Sequence, residues 1–131
     1  MKLAINGLGR IGRMVLRRAV DFPPGNLEIV AANDLTPVDE LAYLMRYDSV
    51  HGKADFPVEY GQGTIRCGPH VLTVLSEKDP GKLPWHDLEV GVVLECTGLF
   101  RDRKAAAGHI DAGADKVIIS APSKNADLTV V

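Results

Sequence analysis

With 131 residues, 46% of them hydrophobic and 24% charged, the chain has the size and makeup of one globular domain. A net charge of −2 supplies no field to gather nucleic acid or an anionic membrane surface. Two cysteines without C-x-x-C spacing speak against a disulfide scaffold and read as reduced thiols, so a cytoplasmic setting without a membrane partner is expected; no apolar run reaches membrane-spanning length.

The first apolar run, residues 3–6, reads as a short buried strand. Residues 10–22 read as a helix. Ile11, Met14, Val15, Ala19 and Phe22 recur at three- and four-residue steps, while Arg10, Arg13, Arg17 and Asp21 lie elsewhere. A proline-glycine break follows, and residues 27–33 form a second strand rich in β-branched and apolar side chains. Thr36-Pro37 with Asp39 and Glu40 behind it marks a helix start, with Val38, Leu41, Ala42 and Met45 as its apolar stripe.

From Gly52 to Ser76 the texture changes. "FPVEY", "TIRC" and "HVLTVL" are strand signals separated by "GQG" and "GP", the pattern of an antiparallel hairpin insert. "DPGKLPW" is a turn-rich connector, and "VGVVLEC" a doubly buried strand. Asp102 is expected to cap a helix through "RKAAAGHIDA" that Gly113 ends. "KVIIS" reads as another buried strand, and "LTVV" as the start of one more. This alternation predicts an α/β fold: a doubly wound, mostly parallel sheet covered on both faces, with an antiparallel hairpin insert.

Gly7, Gly9 and Gly12 form a G-x-G-x-x-G pattern between the first strand and the first helix, the setting a dinucleotide fingerprint requires. Gly7 permits the tight turn, Gly9 lets backbone approach a pyrophosphate, and Gly12 lets the helix pack on the strand. The helix start leaves N–H groups unpaired, which favours an anion there, and Arg10 adds charge nearby. Asp34 ends the second strand, 22 residues after Gly12. A carboxylate there accepts bonds from both ribose hydroxyls and repels a 2′-phosphate, so NAD is expected over NADP. Thr97, Gly98 and Ser120 end later strands, where ligands sit in open parallel sheets.

Six blocks, "INGLGRIGR", "ANDL", "YLMRYDSVHG", "SEKDP", "ECTGLF" and "KVIISAPSK", together resemble the N-terminal half of phosphorylating glyceraldehyde-3-phosphate dehydrogenases. The likeness covers nearly the whole chain. It implies a Rossmann-type dinucleotide-binding domain over 1–131, with the catalytic domain absent from this chain. It places Asn6, Gly7, Gly9, Arg10, Ile11 and Gly12 in the cofactor loop, Arg10 and Ile11 meeting the pyrophosphate through their N–H groups. Asp34 would hold the adenosine ribose, Lys78 the adenine side through backbone, and Thr97, Gly98 and Ser120 the nicotinamide half. The family activity is NAD-dependent oxidation of glyceraldehyde 3-phosphate with phosphate to 1,3-bisphosphoglycerate in glycolysis, by a homotetramer in which "YDSVHG" lies toward a subunit contact. Leu8 departs from the family's usual phenylalanine and Lys78 from its common arginine. The family's nucleophile block, Ser-Cys-Thr-Thr-Asn, and its histidine base do not occur here, so this stretch is expected to bind NAD without catalysis. Cys96 reads as a small core residue. An erythrose-4-phosphate dehydrogenase domain and a non-catalytic NAD-binding or interaction module are the alternatives; Asp34 and Ala121-Pro122 side with the first reading.

Other constellations are poor. His51, His70, His86 and His109 lack metal-ligand spacing, so no metal is expected. His51 reads as a loop residue, His109 as a helix-surface residue and Trp85 as packing. Arg10, Arg13, Arg17 and Arg18 read as a solvated helix face, not a nucleic-acid site.

Overall fold

The computed structural model describes residues 1–48, 52–100, 103–123 and 126–130. Nine strands and three α-helices occur among them. The chain runs β1 (Lys2–Asn6), α1 (Arg10–Asp21), β2 (Glu28–Asn33), α2 (Val38–Arg46), β3 (Tyr47–Asp48), β4 (Gly52–Lys53), β5 (Val58–Gly61), β6 (Thr64–Cys67) and β7 (His70–Leu75). A 3-10 turn (Pro80–Lys82), β8 (Val92–Glu95), α3 (Arg103–Asp111) and β9 (Lys116–Ile119) complete it. Seven strands form one sheet in the order β5-β6-β7-β2-β1-β8-β9; β3 and β4 make a separate antiparallel pair. From β7 to β9 all neighbours are parallel, while β5, β6 and β7 pair antiparallel. This is the doubly wound α/β arrangement. The antiparallel insert joins the main sheet, because β7 pairs with β2.

Strand alternation feeds two cores. Leu3, Ile5 and Val92 face one side with Leu16, Leu41 and Met45 of the helices. Ala4 and Val93 face the other with Leu83, Trp85 and Ala114. A register shift between Leu3 and Ala4 adds one residue to β2, which switches Ala31 to the Trp85 side and returns Ala32 to the helix side.

The structure corrects several expectations. On α1 the inward face is built on Gly12 and Leu16, because Gly12 must meet the Gly7 carbonyl; Ile11 and Phe22 are exposed. Phe22 ends the helix as its C-cap and lies under the Arg18 guanidinium, 3.9 Å from carbon to ring centre. β9 is a sheet edge, not a buried strand: Ile118 is 56% exposed. Residues 126–130 form no strand, because no neighbouring ladder takes up their backbone; Leu128 and Val130 are exposed. His109 is fully buried rather than on the helix surface. Cys67 and Cys96 are free thiols, one buried and one half-buried against the core. His51, the cap role of Asp102 and residue 131 lie outside the described residues. No helix among the described residues is long and apolar enough to cross a membrane.

Candidate dinucleotide-binding site

The chain winds from β1 toward β2 and β7 on one side, and places β8 and β9 on the other. The topological switch therefore falls between β1 and β8, whose last residues, Asn6 and Glu95, are register partners. The loops leaving these two strands wall a crevice at the strands' carboxyl ends.

The β1 loop turns at Gly7, whose φ of +95° suits glycine and whose N–H donates to Asn33 O at 2.8 Å. A Cβ on Gly7 would stand 2.8 Å from Thr97 N, so the two loops touch here. A Cβ on Gly12 would overlap the Gly7 carbonyl, which seats α1 directly on the turn. Gly9 has nothing within 4 Å of where its Cβ would be. It is also the N-cap of α1, without a side-chain cap and without an acid in the first turn. The leading N–H groups of α1 have no intrahelical partner and open onto that space. This cradle fits an anion held on main-chain amides. Arg10 and Ile11 are exposed at its rim. Arg13 supports the loop from behind, donating from Nη1 to Leu8 O at 3.1 Å.

Asp34 stands one residue past β2, half-buried. Its Oδ2 accepts from Leu8 N–H at 2.7 Å and its Oδ1 from Thr36 N–H at 2.9 Å. The carboxylate is thus fixed against the glycine loop, and each oxygen keeps a lone pair for another donor. Lys78 is exposed in the loop after β7, and Ser120 is exposed after β9 with its N–H donating to Glu95 O at 3.0 Å. Thr97 and Gly98 are half-buried after β8. The residues singled out from sequence therefore gather at one end of the sheet. Two of them spend side chains on the scaffold. Asn6 is buried against Asn33 and Glu95, and the Thr97 hydroxyl donates to Glu95 at 2.6 Å and accepts from Leu99 N–H at 3.0 Å.

Beneath the crevice lies a polar cluster that sequence reasoning missed. Glu95 is 1% exposed and His109 fully buried. Glu95 Oε2 accepts from Asn6 Nδ2 at 2.7 Å and pairs with His109 Nε2 at 2.6 Å, and Oε1 accepts from Thr97 N–H at 3.1 Å. Trp85 Nε1 donates to His109 Nδ1 at 3.0 Å. Burial pushes the Glu95 carboxyl up, but the hydrogen bonds from His109, Asn6 and Thr97 outweigh it and leave it below its ordinary value. One signal pointed here: Asn6, Asn33 and Glu95 each end an apolar strand, and they meet once the strands are neighbours.

A glycine-turned anion cradle at the switch point, with an acid anchored at the end of β2, defines a dinucleotide-binding domain of the doubly wound class. The family model for the glyceraldehyde 3-phosphate dehydrogenase NAD binding domain matches residues 1–103. The chain belongs to this family. It is 49% identical over 130 residues to glyceraldehyde-3-phosphate dehydrogenase of Thermotoga maritima, covering 99% of this chain and 39% of that protein. It is 47% identical over 131 residues to the Geobacillus stearothermophilus enzyme, covering 100% of this chain and 38% of the relative. A Streptomyces avermitilis glyceraldehyde-3-phosphate dehydrogenase is 50% identical over the same length, with 39% of it covered. The chain thus spans about two fifths of the length of these relatives.

Proposed function

We propose that this chain seats NAD across the β1–β8 crevice as the cofactor-binding part of a phosphorylating glyceraldehyde-3-phosphate dehydrogenase. The observation that carries this reading is the open, uncapped α1 start at Gly9, set beside a carboxylate that the loop itself holds through Leu8 N–H. Amides of Arg10 and Ile11 would take the pyrophosphate, with Gly7 and Gly12 shaping the turn beneath it. Asp34 would accept the adenosine ribose hydroxyls on its spare lone pairs and repel a 2′-phosphate. Lys78 would border the adenine side through its backbone, Thr97, Gly98 and Ser120 would border the nicotinamide half, and Asn6 would hold the cofactor loop from beneath. Bound NAD supplies the hydride acceptor for aldehyde oxidation.

The chain's own work in that reaction is to bind and orient. Neither cysteine suits nucleophilic attack. Burial pushes the Cys67 thiol up to about 12. Burial also raises Cys96, the Glu95 charge adding to it and a Ser120 hydrogen bond opposing. The thiolate that attacks glyceraldehyde 3-phosphate is therefore assigned to the part of the relatives this chain does not span. A cytoplasmic setting and a homotetrameric assembly come with this reading. Calorimetric titration of the 131-residue chain with NAD tests it. Saturable binding is expected, without turnover of glyceraldehyde 3-phosphate; no heat and no displacement of a bound nucleotide probe would overturn it.

A further inference from the structure

Hydrogen-bond direction in the buried cluster is dictated from its two ends. At one end, Trp85 Nε1–H is a donor only, so His109 Nδ1 is the unprotonated acceptor. The ring proton then sits on Nε2 and is given to Glu95. At the other end, the Glu77 main chain orients the Asn33 amide: Oδ1 accepts from Glu77 N–H at 2.8 Å and Nδ2 donates to Glu77 O at 2.9 Å. Asn33 Nδ2 also donates to Asn6 Oδ1 at 2.7 Å, which leaves Asn6 Nδ2 to donate to Glu95. Thr97 contributes its N–H and its hydroxyl. Three fixed donors, from His109, Asn6 and the Thr97 main chain, converge on Glu95 with the Thr97 hydroxyl beside them, and both carboxylate oxygens accept.

We propose that Glu95 is a positioning residue for the crevice: its carboxylate clamps Asn6, just before Gly7, to Thr97, which faces Gly7, and Trp85 enforces its acceptor-only state through His109. The proposal rests on the reading of the crevice as the NAD site. The clamp has little slack, because the place of a Gly7 Cβ is already 2.8 Å from Thr97 N. A glutamine at 95 keeps the shape but turns its NH2 group toward a fixed donor whichever way the amide points: toward His109 Nε2–H and Asn6 Nδ2–H on one side, toward the Thr97 N–H on the other. His109 cannot relieve the conflict by moving its proton to Nδ1, because the Trp85 N–H occupies that side. The residue at 95 therefore sets the separation of the two loops.

The test is Glu95→Gln in the 131-residue chain, titrated with NAD and recorded by NMR without ligand. NAD binding should weaken about tenfold or more. The Gly7 and Thr97 amide resonances should be displaced, while those of β5 and β6, at the far edge of the sheet, should stay in place. Nitrogen NMR of the parent should show the His109 ring proton on Nε2. Unweakened binding, displacement spread over the whole sheet, or a parent His109 proton on Nδ1 overturns the proposal. If the parent binds no NAD, the cofactor reading falls separately, and the clamp is judged on the Gly7 and Thr97 amides alone. Should Glu95→Gln not fold, Thr97→Val, which removes the hydroxyl that Glu95 holds, is titrated instead. Weakened binding with a displaced Gly7 amide then upholds the clamp, and parent-like binding overturns it.

Discussion

The Leu8 N–H donates to Asp34 Oδ2 at 2.7 Å, tying the glycine loop to the end of β2 across 26 residues of chain. The acid expected to hold a ribose therefore also holds the loop expected to seat the diphosphate. One side chain sets the distance between two halves of the candidate site.

Replacing Asp34 should therefore change affinity and selectivity together. Asp34→Asn keeps one acceptor oxygen but turns an NH2 group toward either the Leu8 or the Thr36 N–H. NAD binding should weaken, and stability should fall by about 1–2 kcal/mol. The preference for NAD over NADP should shrink at least about tenfold, since no charge remains to repel the 2′-phosphate. Parallel titrations with the two cofactors measure the ratio; an unchanged ratio would remove Asp34 from the discriminating role.

Two glycines of one fingerprint should respond in opposite ways. Gly12→Ala drives a methyl into the Gly7 carbonyl, backbone that cannot step aside, and should cost about 1–3 kcal/mol or more in stability. Gly9→Ala meets nothing within 4 Å and Gly9 has a negative φ of −73°, so the fold should tolerate it. Its methyl points into the proposed cradle, so NAD affinity should drop while the melting temperature barely moves. Thermal melts paired with calorimetry separate the two; equal destabilisation by both would contradict the geometry.

Glu95 should make stability fall in acid. Burial raises its carboxyl, hydrogen bonds from His109, Asn6 and Thr97 outweigh that, and the net value lies below the ordinary 4.5. A folded-state value below the unfolded one means the stabilisation is fully present above 4.5 and is lost as pH falls through the depressed folded value. Urea midpoints followed from neutral pH down to about 3 should drop over the acid end. Glu95→Gln should be less stable at neutral pH and show a shallower acid decline. An equal decline in both would assign the effect to other carboxylates.

Thiol chemistry should be slow in the folded chain. With Cys67 pushed up to about 12 by burial and Cys96 also raised, chiefly by burial, little thiolate is present at neutral pH. An aromatic disulfide reagent should label both cysteines readily only after denaturation. Fast stoichiometric labelling of native Cys96 would reopen it as a nucleophile.

Much of the fold was legible in the chain. The strands at β1, β2 and β8 are apolar runs, α2 carries its stripe at Leu41, Ala42 and Met45, and the glycine spacing marks the β1–α1 turn. The misread elements share a cause. The stripe Ile11, Met14, Val15, Ala19 and Phe22 holds at Val15 and Ala19, which pack on the core, and fails at Ile11 and Phe22, because periodicity admits several phases; contact between Gly12 and the Gly7 carbonyl selects the one through Leu16. "KVIIS" has the composition of a central strand, yet β9 pairs only with β8 and leaves Ile118 exposed.

The sequence by itself determined the local turns, the order of the main-sheet strands and helices from β1 to β9, and the spacing from the glycines to Asp34. These rest on backbone freedom and short-range periodicity, which act within a few residues. Only the tertiary structure decided that Asn6, Asn33, Glu95, His109 and Trp85 meet under the crevice. Their hydrogen bonds join residues up to 89 apart, and strand register, not sequence proximity, brings such groups together where water is excluded.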